Sequence, residues 1–246
     1  MQVVVGSSPL AIALAAALAR EGPTALASPT QREGAFLWRL ADPDSGEGIL
    51  PTVRAAQRVF VVVDGNTEHH GLFVVLRRLK TANGVVVAPA GIPFPSALAA
   101  FPGWSRVEIG ACWGSEEPLV QRWSAAVRTG RWIWSADPGV IAALSMPDAV
   151  AGIQAAGRRP GAQWKLLGSP WRLPDLLKLL GEAHGRSPRT IRAPLSLAMR
   201  RIGVDPDRVR AWTRLPHGDW HTPGYAPPAP LGSAGFLAGL HARAER

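Results

Sequence analysis

The sequence is poor in three residue types that carry much protein chemistry, and it lacks long apolar runs. Its 246 residues include one cysteine (Cys112), one tyrosine (Tyr225) and three lysines. A single cysteine excludes a disulfide within the chain and a cysteine-rich metal site, and is typical of a reducing compartment. The apolar stretch 10–19 is about half the ~20 residues of a membrane-spanning helix, and Arg20 and Glu21 interrupt it. We therefore expect a cytoplasmic protein with no membrane span.

Positive charge is plentiful but scattered. The formal net charge is +9 and the isoelectric point is near 11.2. Adjacent arginines occur as pairs such as Arg77-Arg78 and Arg158-Arg159, short of the roughly five like charges of a basic tail. The pattern disfavours nucleic acid as a partner. An acidic or phosphorylated small molecule, or an acidic protein, fits the charge equally well.

Apolar runs that alternate between strand and helix character predict the fold. Apolar, β-branched runs bounded by turn residues are typical of buried parallel strands, and helical segments of ten or more residues separate many of them. The predicted strands are 2–5, 24–27, 36–40, 59–63, 85–88, 106–109, 131–134, 141–146 and 163–167, and the predicted helices are 10–21, 69–80, 117–128, 147–156, 173–183 and 233–245. A Pro-rich loop is expected at 216–230.

This alternation predicts an α/β protein with a doubly wound, mostly parallel, Rossmann-like sheet. We expect a single domain, 1–246, in which 111–140 and 160–246 contribute a small C-terminal lobe on the substrate side.

The turn between the first strand and the first helix resembles a dinucleotide-binding fingerprint. That fingerprint needs glycine for a tight turn, a second glycine for close approach of the pyrophosphate, and glycine or alanine for helix packing. Gly6 and Ala11 meet the first and third requirements, whereas Ser8 stands at the second. Gly6, Ser7, Ser8 and Leu10 are therefore candidate cofactor contacts. The alternative is an ordinary strand-to-helix turn without a ligand.

The end of the second strand indicates which nucleotide would fit. An NAD site favours an acidic residue there for the ribose hydroxyls. This chain has Ser28, with Arg32 shortly after. The combination favours the 2′-phosphate of NADP over NAD, unless Arg32 is an ordinary surface residue.

The order of segments resembles the extended and atypical short-chain dehydrogenases, the NAD-dependent epimerase/dehydratase-like family. The resemblance implies that Asp42 lies near the adenine and that the segment of Val63 lies beside the cofactor. It is carried by Phe36-Leu-Trp-Arg-Leu-Ala-Asp42, Val61-Val-Val-Asp64-Gly65, Ile109-Gly-Ala-Cys-Trp-Gly114, Ala142-Ala-Leu-Ser-Met-Pro-Asp148, Trp164-Lys-Leu-Leu-Gly168 and Gly224-Tyr-Ala-Pro-Pro.

The chain departs from that family at its catalytic pair. The family uses a tyrosine and a lysine four residues later, and the lysine and the cofactor lower the tyrosine pKa so that it acts as a base. Tyr225 has no lysine near it, and the family's serine position reads Pro89-Ala90-Gly91. The segment 91–105 is about half the usual length. The sequence thus predicts a protein without the Tyr-x-x-x-Lys chemistry.

Other acid–base candidates follow the fourth strand, at the edge where open α/β sheets bind ligands. His69, His70 and Asp64 are the candidate catalytic residues, although the histidines equally fit the polar start of a helix. His217, Asp219 and His221 resemble a metal cluster. The sequence does not confirm that all three would act as ligands, and we predict no metal site.

Ten tryptophans are many for this length. Several of them either fill the core or line a cleft for a small apolar or aromatic ligand or a protein partner. The tryptophans near the expected pocket are Trp104, Trp113, Trp132, Trp134 and Trp171.

Three functions remain open at this point. The first is a catalytically degenerate binding, sensing or structural subunit with NADP as its cofactor or with none. The second is a repurposed cofactor-independent enzyme, of isomerase or cyclase type, with an aromatic-lined pocket. The third is an atypical NADP-dependent reductase, since hydride transfer belongs to the cofactor. The sequence predicts no oligomeric state.

Overall fold

The computed structural model describes residues 1–63, 69–79, 83–90, 93–113, 118–135 and 140–192. Within these ranges the chain forms two compact units. The first comprises 1–109 and 149–166, and the second comprises 110–148 and 167–192.

The strands and helices largely follow the predicted alternation. The strands are β1 Gln2–Val5, β2 Thr24–Ser28, β3 Leu37–Leu40, β4 Arg58–Val62, β5 Gly84–Pro89, β6 Ser105–Ile109, β7 Ala111–Trp113, β8 Trp132–Ser135, β9 Val140–Ser145, β10 Gln163–Leu166, β11 Ser169–Arg172 and β12 Arg189–Arg192. The helices are α1 Pro9–Ala19, α2 Ile49–Val53, α3 His70–Arg78, α4 Pro118–Thr129, α5 Met146–Gly157 and α6 Leu173–Ala183, with a short 3₁₀ helix at Ser96–Ala100.

A seven-stranded parallel sheet organises the first unit. Its order is β10-β6-β5-β4-β1-β2-β3, and every neighbouring pair in it is parallel. The chain winds outward from β1 in one direction to β3, then crosses to β4 and continues in the other. This order is that of the doubly wound Rossmann fold, and its switch point lies between β1 and β4. The predicted fold class is confirmed.

Both faces of the sheet are covered, which explains why its central strands are apolar throughout. On one face Val3, Val5 and Val61 belong to a core cluster with residues of α2, α3 and the 3₁₀ helix. Side chains of a strand alternate between faces, so Val4 and Phe60 belong to the other one. There the end of α5 at Gly157 lies so close to the Phe60 ring that an added Cβ would touch it at 3.0 Å.

The second unit is built from shorter strands. One sheet has the order β11-β9-β7, in which β9 runs parallel to β7 and antiparallel to β11. A second, two-stranded sheet pairs β12 with β8 in parallel. The helices α4 and α6 belong to the same unit.

Among the described residues, five elements are not predicted from the sequence: α2, β7, β11, β12 and the 3₁₀ helix Ser96–Ala100. Each has five residues or fewer, too short for its periodicity to be recognised. The Pro-rich loop 216–230 and the final helix 233–245 lie outside the described residues, and the division into one domain with a C-terminal lobe stays a prediction. In the part of the chain that is described, no helix is long and apolar enough to cross a membrane.

Candidate functional site

The β1–α1 turn lies at the switch point of the sheet, and Gly6 is its first residue. Gly6 adopts φ +146°, a conformation that residues with a side chain rarely use. A Cβ at this position would lie 3.0 Å from the carbonyl oxygen of Val62 and 3.2 Å from the Cβ of Ala11. Gly6 N also donates to the carbonyl of Ala27 at 3.1 Å. The glycine is therefore required by the contact between β1, β4 and α1, as the fingerprint predicts.

Ser8 acts as the N-cap of α1. Its Oγ accepts a hydrogen bond from Ala11 N at 3.3 Å, and its carbonyl accepts from Ile12 N at 3.1 Å. Pro9, the first helical residue, has no N–H to offer. The N–H of Leu10 is thus the one in this first turn for which the helix supplies no acceptor. The turn keeps a positive helix end, with fewer free donors than a glycine-rich loop presents.

Ser28 closes β2 with its side chain turned back on the chain. It is fully buried. Its Oγ donates to the carbonyl of Thr30 at 2.6 Å and accepts from Thr30 N at 3.1 Å. The indole N–H of Trp38 donates to the same carbonyl at 3.1 Å. Arg32 lies exposed in the loop that these bonds shape.

Asp42 organises the loop that follows β3. Its Oδ1 accepts from Asp44 N and its Oδ2 from the hydroxyl of Ser45, each at 2.9 Å. These bonds, the one from Asp44 N first, hold the pKa of the Asp42 carboxyl below its usual range. Both carboxylate oxygens of Asp42 are thereby engaged inside its own loop.

The same loop docks on the N-terminus of α3. Gly71 N donates to the carbonyl of Asp44 at 2.9 Å, and Leu72 N donates to that of Pro43 at 2.8 Å. The backbones of Gly46 and Gly71 are in direct contact. A Cβ on Gly71 would overlap Gly46 N and the carbonyl carbon of Ser45. Two of the N–H groups at this helix end are therefore satisfied by the loop, which leaves fewer donors there for an anion.

His69 is the N-cap of α3 and pairs with Asp44. Its Nδ1 lies 3.0 Å from Oδ1 of Asp44, and its side chain is 8% exposed against 60% for the carboxylate. His69 has φ +48°, ψ +42°, the left-handed region, and no other residue besides glycine in the described ranges has a positive φ. Its Nε2 is buried without a hydrogen-bond partner. An oriented imidazole with one unused nitrogen can accept a hydrogen bond or a proton.

The other predicted site residues are placed as follows. His70 is the first residue of α3 and is exposed, and Val63 is buried directly after β4. Asp64 lies outside the described residues, as do His217, Asp219 and His221. Among the residues that are described, no group of three or more His, Cys, Asp or Glu could hold a metal ion.

Asp44 is a partner of the candidate residue His69 that the sequence does not reveal. It is 25 residues from His69, and only the tertiary fold brings them together. The available signal was the composition of the segment 42–48, Asp-Pro-Asp-Ser-Gly-Glu-Gly, which is typical of a structured turn.

Trp104 belongs to the core rather than to a ligand cleft. It is 2% exposed and packs against Phe101 and Phe73, with ring centroids 5.1 and 6.4 Å away. Trp132 is 56% exposed. The side chains of Trp113, Trp134 and Trp171 are outside the described set, so the aromatic-lined pocket stays a prediction.

No model of a known protein family matches the chain, and no curated protein sequence matches it. Solved structures do. One is MoeE5 in complex with UDP-glucose and NAD, with a TM-score of 0.67 and 11% identity over 86% of this chain and 97% of that one. Another is a nucleoside-diphosphate-sugar epimerase from Pseudomonas aeruginosa, with a TM-score of 0.68 and 15% identity over 98% and 96%.

A third is an NADPH-dependent quinone oxidoreductase from Escherichia coli in complex with NADPH. Its TM-score is 0.63, with 16% identity over 87% of both chains. These three neighbours are thus a protein crystallised with NAD, a nucleoside-diphosphate-sugar epimerase and an NADPH-dependent oxidoreductase. At such low identity the likeness establishes the Rossmann-like fold and leaves the activity of this chain to its own residues.

Proposed function

We propose that this protein binds a nicotinamide dinucleotide at the β1–α1 turn and acts as a binding, sensing or structural subunit. The observation that carries the proposal is the geometry of Gly6. It brings the β1 backbone against Val62 of β4 and the start of α1, at the switch point where doubly wound sheets bind ligands. The crystallised neighbours that hold NAD or NADPH support it.

The surroundings of the turn support NADP as the preferred form. No carboxylate ends β2, where Ser28 is buried and bonded to Thr30. Arg32 is exposed nearby and has the charge and fork geometry to bind a 2′-phosphate. We therefore expect NADPH and NADP to bind more tightly than NADH and NAD.

The proposed absence of standard catalysis rests on the sequence. Tyr225 is the one tyrosine in the chain, and the three lysines stand at positions 80, 165 and 178. None of these stands four residues after the tyrosine, so the general base of short-chain dehydrogenases has no counterpart at this spacing.

An NADPH-dependent reductase is the second candidate. The likeness to an NADPH-dependent quinone oxidoreductase favours it, and hydride transfer depends on the cofactor rather than on a Tyr/Lys pair. Consumption of NADPH with quinones or aldehydes as acceptors would support this function over a purely binding role.

The test is a titration of purified protein with the four nucleotides, followed by thermal melting and calorimetry. Binding stabilises the folded state by about 2.7 kcal/mol at a ligand concentration 100 times Kd, so NADPH should raise the melting temperature. The decisive variants are Ser8→Asp and Ser8→Asn. Both side chains cap a helix well, and they have nearly the same shape, but only aspartate places a negative charge where the pyrophosphate would lie.

We expect Ser8→Asn to retain NADPH binding and Ser8→Asp to weaken it at least 10-fold, with both variants folded. Aspartate at a helix N-terminus stabilises by roughly 0.3–1 kcal/mol, so lost binding could not be attributed to a weaker fold. Equal NADPH binding by both variants would place any nucleotide elsewhere. No shift of the wild type with any of the four nucleotides would overturn the proposal.

A further inference from the structure

His69 combines three unfavourable features in one residue. It has left-handed backbone angles, its ring is more than nine-tenths buried, and its Nε2 has no hydrogen-bond partner. Asparagine or glycine would suit these backbone angles better, and an apolar residue would suit the burial better. When one residue combines several features that each lower stability, a functional role explains them better than a role in folding.

His69 lies at the same edge of the sheet as the proposed nucleotide site. His69 follows β4, whereas its partner Asp44 follows β3. These strands are three places apart in the order β4-β1-β2-β3, a span of roughly 14 Å at the usual strand spacing. The Asp44–His69 pair therefore bridges two segments at the carboxyl edge that β1 and β2 also reach, the edge of the β1–α1 turn.

The order of groups along a bound dinucleotide indicates that its base would lie near the Asp44–His69 pair. A pyrophosphate at the β1–α1 turn and a ribose at the end of β2 place the base farther along the same edge. Two polar side chains close to the ends of β2 and β3, those of Ser28 and Asp42, are already engaged. The hydroxyl of Ser28 bonds Thr30, and both carboxylate oxygens of Asp42 accept hydrogen bonds within their loop. His69 Nε2 is the buried polar atom of this region that still lacks a partner.

The Asp44 carboxylate fixes what Nε2 can do. A carboxylate only accepts hydrogen bonds, so Nδ1 must carry the proton that it shares with Asp44 at 3.0 Å. In the neutral imidazole Nε2 is then an acceptor. A ligand that binds Nε2 must therefore supply a hydrogen-bond donor, such as the exocyclic amine of a purine.

We infer that His69 Nε2 accepts a hydrogen bond from an exocyclic amine on the base of the bound nucleotide, and that Asp44 is the positioning residue that fixes the ring. The inference rests on the proposed nucleotide binding and adds its base specificity. Nε2 has no access to solvent in the structure. The inference therefore requires the imidazole ring, or the groups packed against it, to shift when the base binds.

The experiment compares NADPH with its hypoxanthine analogue, in which a carbonyl replaces the amine of adenine. Calorimetry on the wild type should show the analogue binding about 10-fold more weakly, the effect of one lost hydrogen bond to a buried group. His69→Asn should bind both ligands equally and should remain folded, since asparagine tolerates the left-handed region. His70→Asn, at the exposed neighbouring residue, is the matched control and should keep the discrimination.

Asp44 is tested by a pair of variants. Asp44→Asn keeps an oxygen that can accept from Nδ1 and should retain the preference for the amine, whereas Asp44→Ala should lose it. Equal affinity of the wild type for NADPH and its analogue would overturn the inference while leaving nucleotide binding intact. Failure of the wild type to bind either ligand would instead overturn the proposed function, and the inference with it.

Discussion

Asp42 gives this protein a specific dependence of stability on pH. Its carboxylate accepts from Asp44 N and from the hydroxyl of Ser45, and these bonds lower its pKa. A group with a lowered pKa in the folded state adds stability above its unfolded pKa, near 4, and loses it as pH falls through the folded value. We expect Asp42→Asn to lower the melting temperature at pH 7, and this difference to shrink steadily below about pH 4.

Thermal melting of wild type and variant between pH 7 and pH 3 checks this expectation. Glu47→Gln is the control, since Glu47 is an exposed carboxylate of the same loop and its neutralisation should change little at either pH. A difference between wild type and Asp42→Asn that stayed constant down to pH 3 would mean that the carboxylate charge does not stabilise the loop.

Single residues also show how far the sequence predicts local geometry. The pattern between a strand and a helix singles out Gly6 and Ser8; the structure shows a tight turn at Gly6 and an N-cap at Ser8, and their role as cofactor contacts stays a prediction. Asp44 was not recognised, because its importance comes from a contact with His69 across 25 residues. The structure shows both oxygens of Asp42 bonded within its own loop, and its place near an adenine stays a prediction. Local spacing predicts backbone geometry, but the partners of a side chain depend on the tertiary fold.

At the scale of elements, the contact between the 42–48 loop and α3 should be intolerant of any added side chain. A Cβ on Gly71 would overlap the backbone of Gly46 and Ser45, which cannot turn aside as a flexible side chain can. Alanine would improve helix propensity by at most about 1 kcal/mol, whereas overpacking costs roughly 1–3 kcal/mol. We therefore expect Gly71→Ala to lower the free energy of unfolding, as measured by urea denaturation.

Gly22→Ala provides the comparison, because a Cβ there would meet nothing within 4 Å. Its free energy of unfolding should stay within about 0.5 kcal/mol of wild type. If Gly71→Ala proved as stable as Gly22→Ala, the loop would have to move away from α3 at little cost, and the Asp44–His69 pair would not be a fixed bridge.

The whole molecule divides into a unit that the sequence predicts well and one that it predicts less well. In the first, strands such as Val59–Val62 are apolar because both faces of the sheet are covered, and this composition is visible without a structure. In the second, β11 and β12 have four residues each, and β11 contains Pro170. Such strands exist through pairing with partners distant in the chain, which no local pattern records.

Nucleotide binding at the proposed site should protect the first unit selectively. All the residues of that site, from Gly6 to His69, belong to this unit. Hydrogen exchange followed by mass spectrometry, with and without saturating NADPH, should show slower exchange in the β1–α1 turn and in the 42–48 loop. Exchange in α6 and β12 should change little, because a ligand protects most strongly the amides whose opening would break its own contacts. At an NADPH concentration near the wild-type Kd, the Ser8→Asp variant should show clearly weaker protection than wild type. Protection confined to α6 or β12 would contradict the placement of the site, even if the melting temperature rose, because stabilisation alone does not report where a ligand binds.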